Sequence, residues 1–180
     1  MPLTDIRYRE AVPSDAFALA AFGSAAFVDA YGHALRPADL VLHVARAYGE
    51  AQQLAELQDP HSWTLLADRE GEIVAAALLR WAEPPPGLAP ELPWAELARF
   101  YVARVYWETG VSSELMVAAL RSIRSRGGQL VWLQVWERAE RAIRFYRKWG
   151  FFEVGEAPYT VGRELQRDLV LARSLAARVT

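Results

Sequence analysis

The chain has no cysteine, a single lysine and three histidines. Without cysteine there is no disulfide, no thiol nucleophile and no thiolate-held zinc or iron–sulfur centre. His33, His43 and His61 do not stand at the HxxxH spacing that sets two ligands on one helix face, so no metal site is expected. No apolar run approaches the roughly 20 residues that cross a bilayer. The opening MPLTDIRYRE also lacks the apolar stretch of a signal peptide, and a soluble, cytoplasmic protein that does not bind membranes is expected. GxSxG, GxxxxGK[ST] and a complete GxGxxG are absent as well, which removes sequence support for three common enzyme classes. An isoelectric point near 6.0 and the lack of any RNA or DNA motif argue against a nucleic-acid partner.

What is present is ample core. The 180 residues are 53% hydrophobic and 12% aromatic, enough for one domain spanning residues 1 to 180. The net charge of −2 conceals an uneven distribution: residues 1 to 98 carry 6 basic and 14 acidic side chains, residues 99 to 180 carry 14 and 8. A site that holds a polyanion on one side and a cation on the other suits this division; charge scattered over solvated faces gives the same counts.

Residues 6 to 12 read as a strand, and Pro13, Ser14 and Asp15 open a helix that runs toward Tyr31. A second helical stretch begins at Pro37 and Asp39 and passes Leu40, Val44 and Tyr48. His61 to Leu66 and Glu72 to Trp81 read as hairpin strands joined by Asp68-Arg69-Glu70-Gly71. Five of the ten prolines fall in residues 84 to 93, which predicts a protruding loop. From Trp94 the pattern becomes strand, glycine turn, helix, strand, helix, strand. Ala95 to Val102 is the first strand, Ser113 to Arg126 a helix closed by Gly127 and Gly128, Val131 to Trp136 a strand, and Arg138 to Trp149 a helix closed by Gly150. The class is α/β.

Tyr101 to Leu115 form a strand, a turn and a helix start, which offers backbone N–H groups and the positive end of a helix dipole to an anion. Val131 to Glu156 is a more specific block. With its pattern Ala142-Ile143-x-Phe145-Tyr146-x-Lys148-x-Gly150-Phe151, the sequence resembles the GNAT family of acetyl-coenzyme A dependent N-acetyltransferases. Residues 6 to 31 and 61 to 81 look like that family's opening strand and helix and its central hairpin. The pattern resembles in particular the bacterial polyamine acetyltransferases of the PaiA type, through Phe27, Asp29 and Tyr31, through Val135, Trp136 and Glu137, and through the tail Gly162 to Leu169.

The resemblance implies a central mixed, twisted sheet flanked by helices, acetyl-CoA as co-substrate, no metal, and a small-molecule amine acceptor. A homodimer is compatible with it. It places the diphosphate at Thr109, Gly110, Val111, Ser112 and Ser113, the thioester carbonyl at the backbone of Tyr101 and Val102, and the cofactor-side helix at Ala142 and Phe145. Tyr146 is implied as the general acid that protonates the leaving thiolate, and Glu96 as the carboxylate that accepts the amine proton through water. Asp29, Tyr31, Trp136 and Glu137 are implied substrate contacts. Each also has a plain structural reading, a half-buried helix tyrosine for Tyr146 and a solvated strand-end glutamate for Glu96.

The departures are as informative. Where the family has Gln/Arg-x-x-Gly-x-Gly/Ala, this chain has Trp107-Glu108-Thr109-Gly110-Val111-Ser112, and Ala139 stands where asparagine is common. Trp107 cannot supply an arginine's charge, and like charges about 4 Å apart repel by about 1 kcal/mol in water, which sets Glu108 against a phosphate. Three functions therefore stand: acetyl transfer to a small primary amine, such as a polyamine; a GNAT-fold binding or regulatory protein with a degraded cofactor loop; and acetyl transfer to a peptide or protein amine.

Overall fold

The computed structural model describes residues 5–85, 88 and 92–176. Seven strands form one sheet in the order β1-β2-β3-β4-β5-β7-β6. These are β1 (Arg7–Glu10), β2 (Ser62–Arg69), β3 (Glu72–Trp81), β4 (Trp94–Val102), β5 (Leu130–Trp136), β6 (Phe152–Val161) and β7 (Glu164–Ser174). Every neighbouring pair is antiparallel except β4 and β5, which the crossover helix α4 (Val111–Ser125) makes parallel. The remaining helices are α1 (Ala16–Tyr31), α2 (Pro37–Ala47), α3 (Glu50–Gln58) and α5 (Glu140–Lys148).

Local chemistry explains most of the boundaries. β1 stops at Glu10 because Pro13 opens a one-turn helix, in which the Val12 amide donates to Asp15 Oδ2 at 2.8 Å. The β2–β3 connector is shorter than the expected four residues: Asp68 and Arg69 remain in the strand, and Glu70 and Gly71 turn the chain with φ of 54° and 86°. Two residues with positive φ make the turn whose twist matches an antiparallel hairpin. Helix α4 starts at Val111, two residues ahead of the expected Ser113, because Gly110 takes φ 101° and caps it. Helix α5 begins at Glu140 rather than Arg138: the Ala139 amide closes a turn onto the Trp136 carbonyl at 2.9 Å, and alanine offers no side-chain cap. Helix α3 carries no strong apolar stripe, so the sequence pattern does not mark it. Its buried residue is Gln53, whose amide donates to the Ala47 carbonyl at 3.0 Å. Of the expected proline loop, residues 86, 87 and 89–91 lie outside the described residues, and the described remainder contains no strand.

The sheet sorts its side chains by alternation. On β2, Trp63, Leu65 and Ala67 enter the main core, while Leu66 joins Leu19 and Ala76 in a smaller cluster on the other face. Helices α4 and α5 close the main core with Leu115, Met116, Ala119, Leu120, Ile123, Ile143 and Tyr146. On the other side Phe27, Leu35, Tyr48 and Val161 pack together. Asp39 ties this cluster to the β6–β7 turn, accepting the Arg163 amide at 2.9 Å. Gly162 there has φ 60°, and a Cβ on it would meet the Asp39 backbone at 2.5 Å. Among the described residues no helix is long and apolar enough to cross a membrane.

Candidate active site

β4 and β5 pair only at Trp94↔Leu130, Ala95↔Val131 and Glu96↔Trp132. Beyond Glu96, β4 stays on β3 as far as Val102↔Ala75, and β5 stays on β7 as far as Trp136↔Asp168. The strands part in the middle of the sheet, where main-chain groups otherwise find partners. A bulge in β4 falls at the parting: Leu78 pairs with Arg99 and Leu79 with Leu97, leaving Ala98 as the extra residue.

One side of this opening is made by the loop after β4 and the start of α4. Trp107 Nε1 donates to the Val102 carbonyl at 2.8 Å, and Thr109 Oγ1 to the Tyr106 carbonyl at 2.7 Å, which fixes the loop. The amides of Ser113 and Glu114 both reach the Gly110 carbonyl, at 2.9 and 3.1 Å. Those of Val111 and Ser112 lie ahead of them, at the positive end of the helix dipole, with no partner inside the helix. Two guanidinium groups join them. Arg141 Cζ lies 3.1 Å from the Trp107 ring centroid and Arg104 Cζ 5.8 Å from it. Trp107, itself uncharged, thus gathers two positive charges in the loop that leads into α4, a combination of groups suited to a diphosphate. Glu108 opposes it: held at φ 62°, it places a negative charge that acts on Arg141.

The other side is a cavity of about 290 Å³, lined from α1, β3, β4, β5, β6 and β7. Its charges are largely paired. Arg80 Nε donates to Glu96 Oε2 at 2.5 Å, and Arg99 clamps both oxygens of Glu56 at 2.6 and 2.9 Å. The Tyr48 and Tyr101 hydroxyls are 2.9 Å apart, with Arg99 Cζ 5.0 Å from the Tyr48 ring. Asp168 is different. It is 6% exposed and lines the cavity, and its carboxylate makes no hydrogen bond or ion pair among the described residues. Its neighbour Arg167 pairs with Glu137 at 3.2 Å and Glu156 at 2.8 Å. Burial, with the Glu137 charge second, pushes the Asp168 carboxyl up to about 6. Burial and then the Asp168 charge push the Tyr31 phenol up to about 12.

Most of the expected site residues fall into two groups across the opening, and Asp29 and Glu137 fall outside them. Thr109, Gly110, Val111, Ser112 and Ser113 form the loop side. Ala142 and Phe145 stand on α5, with Phe145 against Phe100 at 5.5 Å between ring centroids. Tyr146, 8% exposed, packs among Phe100, Phe145 and Phe151, and burial holds its phenol well above the ordinary tyrosine value. Val102 ends β4. Glu96, Tyr101, Tyr31 and Trp136 line the cavity, the last two meeting edge to face at 6.1 Å. Glu137 follows Trp136 just outside the lining, and Asp29 is exposed and does not line it. Three further arginines of the second half of the chain have protein partners: Arg124 on the Leu175 carbonyl, Arg126 on Glu10 and Arg147 on Glu153. Sequence reasoning missed Arg80, Arg141, Tyr159 and Asp168. Only Asp168 left a trace, an acid at the head of the apolar run Leu169-Val170-Leu171.

The profile of the acetyltransferase (GNAT) family matches residues 28–151. An uncharacterized N-acetyltransferase of Mycobacterium tuberculosis is 30% identical over 162 residues, which cover 90% of this chain and 99% of that protein. Among solved structures, the PaiA N-acetyltransferase of Thermoplasma acidophilum in complex with coenzyme A superposes with a TM-score of 0.76 at 17% identity, over 94% of this chain and 98% of the other. NAA60 of Arabidopsis thaliana in complex with a bisubstrate analogue gives 0.70 at 15% identity, over 94% and 97%.

Proposed function

The chain belongs to the acetyltransferase (GNAT) family, and on that premise we propose that it transfers an acetyl group from acetyl-CoA to a small primary amine, a polyamine being one such acceptor. One observation carries the reading: the parting of β4 and β5 joins an anion-suited helix end to a cavity with aromatic and acidic walls. A thioester entering from the loop side meets an amine entering from the cavity.

Val111, Ser112, Arg141 and Arg104 are the groups that would hold the diphosphate, and bound acetyl-CoA supplies an activated acyl carbon. In the reaction the amine nitrogen bonds to that carbon, the carbon–sulfur bond breaks, and the thiolate leaves. Tyr146, a phenol that is protonated at neutral pH, is assigned to protonate the thiolate. Glu96, on the cavity wall, is assigned to take the proton that the amine sheds. A cytoplasmic setting belongs to the same reading.

The test is thiol release from acetyl-CoA with a panel of small amines, run beside thermal unfolding. Saturating acetyl-CoA at about 100 times its Kd should add about 2.7 kcal/mol of stability. Release with at least one small amine supports the proposal. A thermal shift without turnover on amines or peptides identifies a binding protein, and turnover on peptide N-termini alone moves the acceptor class to peptides.

A further inference from the structure

We propose that Asp168 is the acceptor-binding residue of the cavity, holding a second, cationic group of the amine substrate, so that the preferred acceptor is a diamine. The inference rests on the acyl-transfer reading above and names the specificity determinant within it.

The argument is a charge balance. Four charged side chains line the cavity: Arg80, Glu96, Arg99 and Asp168. Arg80 and Glu96 neutralise each other, and Arg99 is neutralised by Glu56. Asp168 is left with one negative charge, 6% exposed and without a partner among the described residues. A carboxylate in that state bears the desolvation cost of burial with no compensating contact, which structures tolerate where a ligand supplies the partner. An ammonium group is the complementary ligand, and the walls suit it: Tyr31, Trp136 and Tyr159 line the same cavity and present rings and a hydroxyl to a cation.

Placement separates this group from the reacting end. Asp168 pairs across the strands with Trp136, whereas Glu96 pairs with Trp132, at the point where β4 leaves β5. Four residues of strand, about 13 Å at about 3.3 Å per residue, separate the two register positions. A monoamine placing its nitrogen near the parting leaves Asp168 unpartnered; a second ammonium on the same molecule can reach toward it.

The charge on Asp168 also sets a pH dependence. Glu137 faces it from the end of β5, Tyr31 from α1 and Tyr159 from β6, while Arg167 beside it is held by Glu137 and Glu156; across the cavity stand the Arg80–Glu96 pair and Arg99. With its carboxyl raised to about 6, Asp168 loses its charge as pH falls through that value. Affinity for the diamine should fall with it.

The experiment compares 1,4-diaminobutane with 1-aminobutane on the full chain and on Asp168→Asn, a nearly isosteric change. Two readouts are used: calorimetric binding of each amine at pH 8 and pH 5, and the ratio of kcat/KM for the two amines with acetyl-CoA. The expected result is tighter binding of the diamine to the wild type at pH 8, weakened about tenfold or more both by the substitution and by pH 5, with the kcat/KM ratio falling toward one in the variant. Equal binding of both amines by the wild type, or an undiminished preference in Asp168→Asn, overturns the proposal. An equal loss of turnover on both amines also overturns it, because it makes Asp168 a participant in proton transfer or in folding. If no amine is acetylated, the acyl-transfer reading fails by itself, and the calorimetric arm still decides whether Asp168 binds the diamine.

Discussion

The loop side and the cavity side of the opening between β4 and β5 are assembled in opposite ways. The loop side comes from two short stretches, residues 103–113 and the helix α5, and its groups act through backbone amides and stacked arginines. The cavity side draws on six elements scattered from Phe27 to Asp168, and its character comes from which charges find partners. One side is positive because a helix end and two guanidinium groups converge; the other keeps a single uncompensated carboxylate. The difference teaches that a departure from a family's local motif has to be read together with what the fold brings beside it. Trp107 looks like a lost charge in the sequence, yet in space it is the platform that collects Arg104 and Arg141.

The largest expected effect concerns Tyr146, assigned above as the general acid. Tyr146→Phe removes one oxygen and keeps the packing against Phe100, Phe145 and Phe151. With the phenol as general acid, kcat at saturating acetyl-CoA should fall about 10²-fold, about 2.7 kcal/mol in barrier, with little change in cofactor affinity. A purely structural tyrosine gives the reverse, a lower Tm and a nearly intact kcat for the folded fraction.

The next effect is confined to the cavity and needs no substrate. The Asp168 carboxyl is raised by burial from 3.8 to about 6, so the folded state holds its proton more tightly than the unfolded state does. Its favourable contribution is complete below about pH 4 and is lost as pH rises through about 6. Asp168→Asn escapes that loss; the shift corresponds to about 3 kcal/mol, which solvent screening reduces to about 2 kcal/mol of added stability at pH 8, a rise in Tm of about 4 to 8 °C. The gain should vanish in melts at pH 4. A variant equally or less stable than wild type at pH 8 means the carboxylate has a stabilising partner in solution.

On the loop side, Arg141→Gln removes the guanidinium stacked on Trp107 and should weaken acetyl-CoA binding about tenfold, about 1.4 kcal/mol. Arg104→Gln, at the greater distance from the ring, should cost less. Amine affinity, measured separately, should follow neither change; if it does, the two sides are not independent.

Sequence legibility follows the same division. The hairpin, the crossover and α5 could be read because each depends on residues close in the chain: glycines with positive φ at 71, 110, 127 and 150, and an apolar face on each helix. Helix α3 could not, since it is held by the Arg99–Glu56 pair and by Gln53 rather than by an apolar stripe. The loop residues and Tyr146 could be assigned to their turn and helix by pattern. The pairing of Glu96 with Arg80, the stacking of Arg141 on Trp107 and the isolation of Asp168 depend on strand register and on elements distant in the chain, about which spacing is silent.

The smallest effect bears on whether the altered loop is degraded or rebuilt. Glu108 puts a negative charge beside the proposed diphosphate site, and it also acts on Arg141, so the two roles pull affinity in opposite directions. If its main effect is repulsion of phosphate, Glu108→Gln keeps size and hydrogen-bonding capacity, removes the charge, and should tighten acetyl-CoA binding about threefold, under 1 kcal/mol. The gain should shrink at high salt, because exposed charges are screened within about 10 Å at 0.1 M. If instead Glu108 orients Arg141, the same substitution weakens binding. Combining it with Arg141→Gln separates the cases: simple repulsion predicts nearly additive effects, whereas an orienting carboxylate loses its influence once the guanidinium is gone. Titrating acetyl-CoA against the wild type, both single variants and the double variant at two salt concentrations measures that coupling, and a coupling near zero with tighter binding in Glu108→Gln leaves the loop rebuilt around Trp107 with one opposing charge.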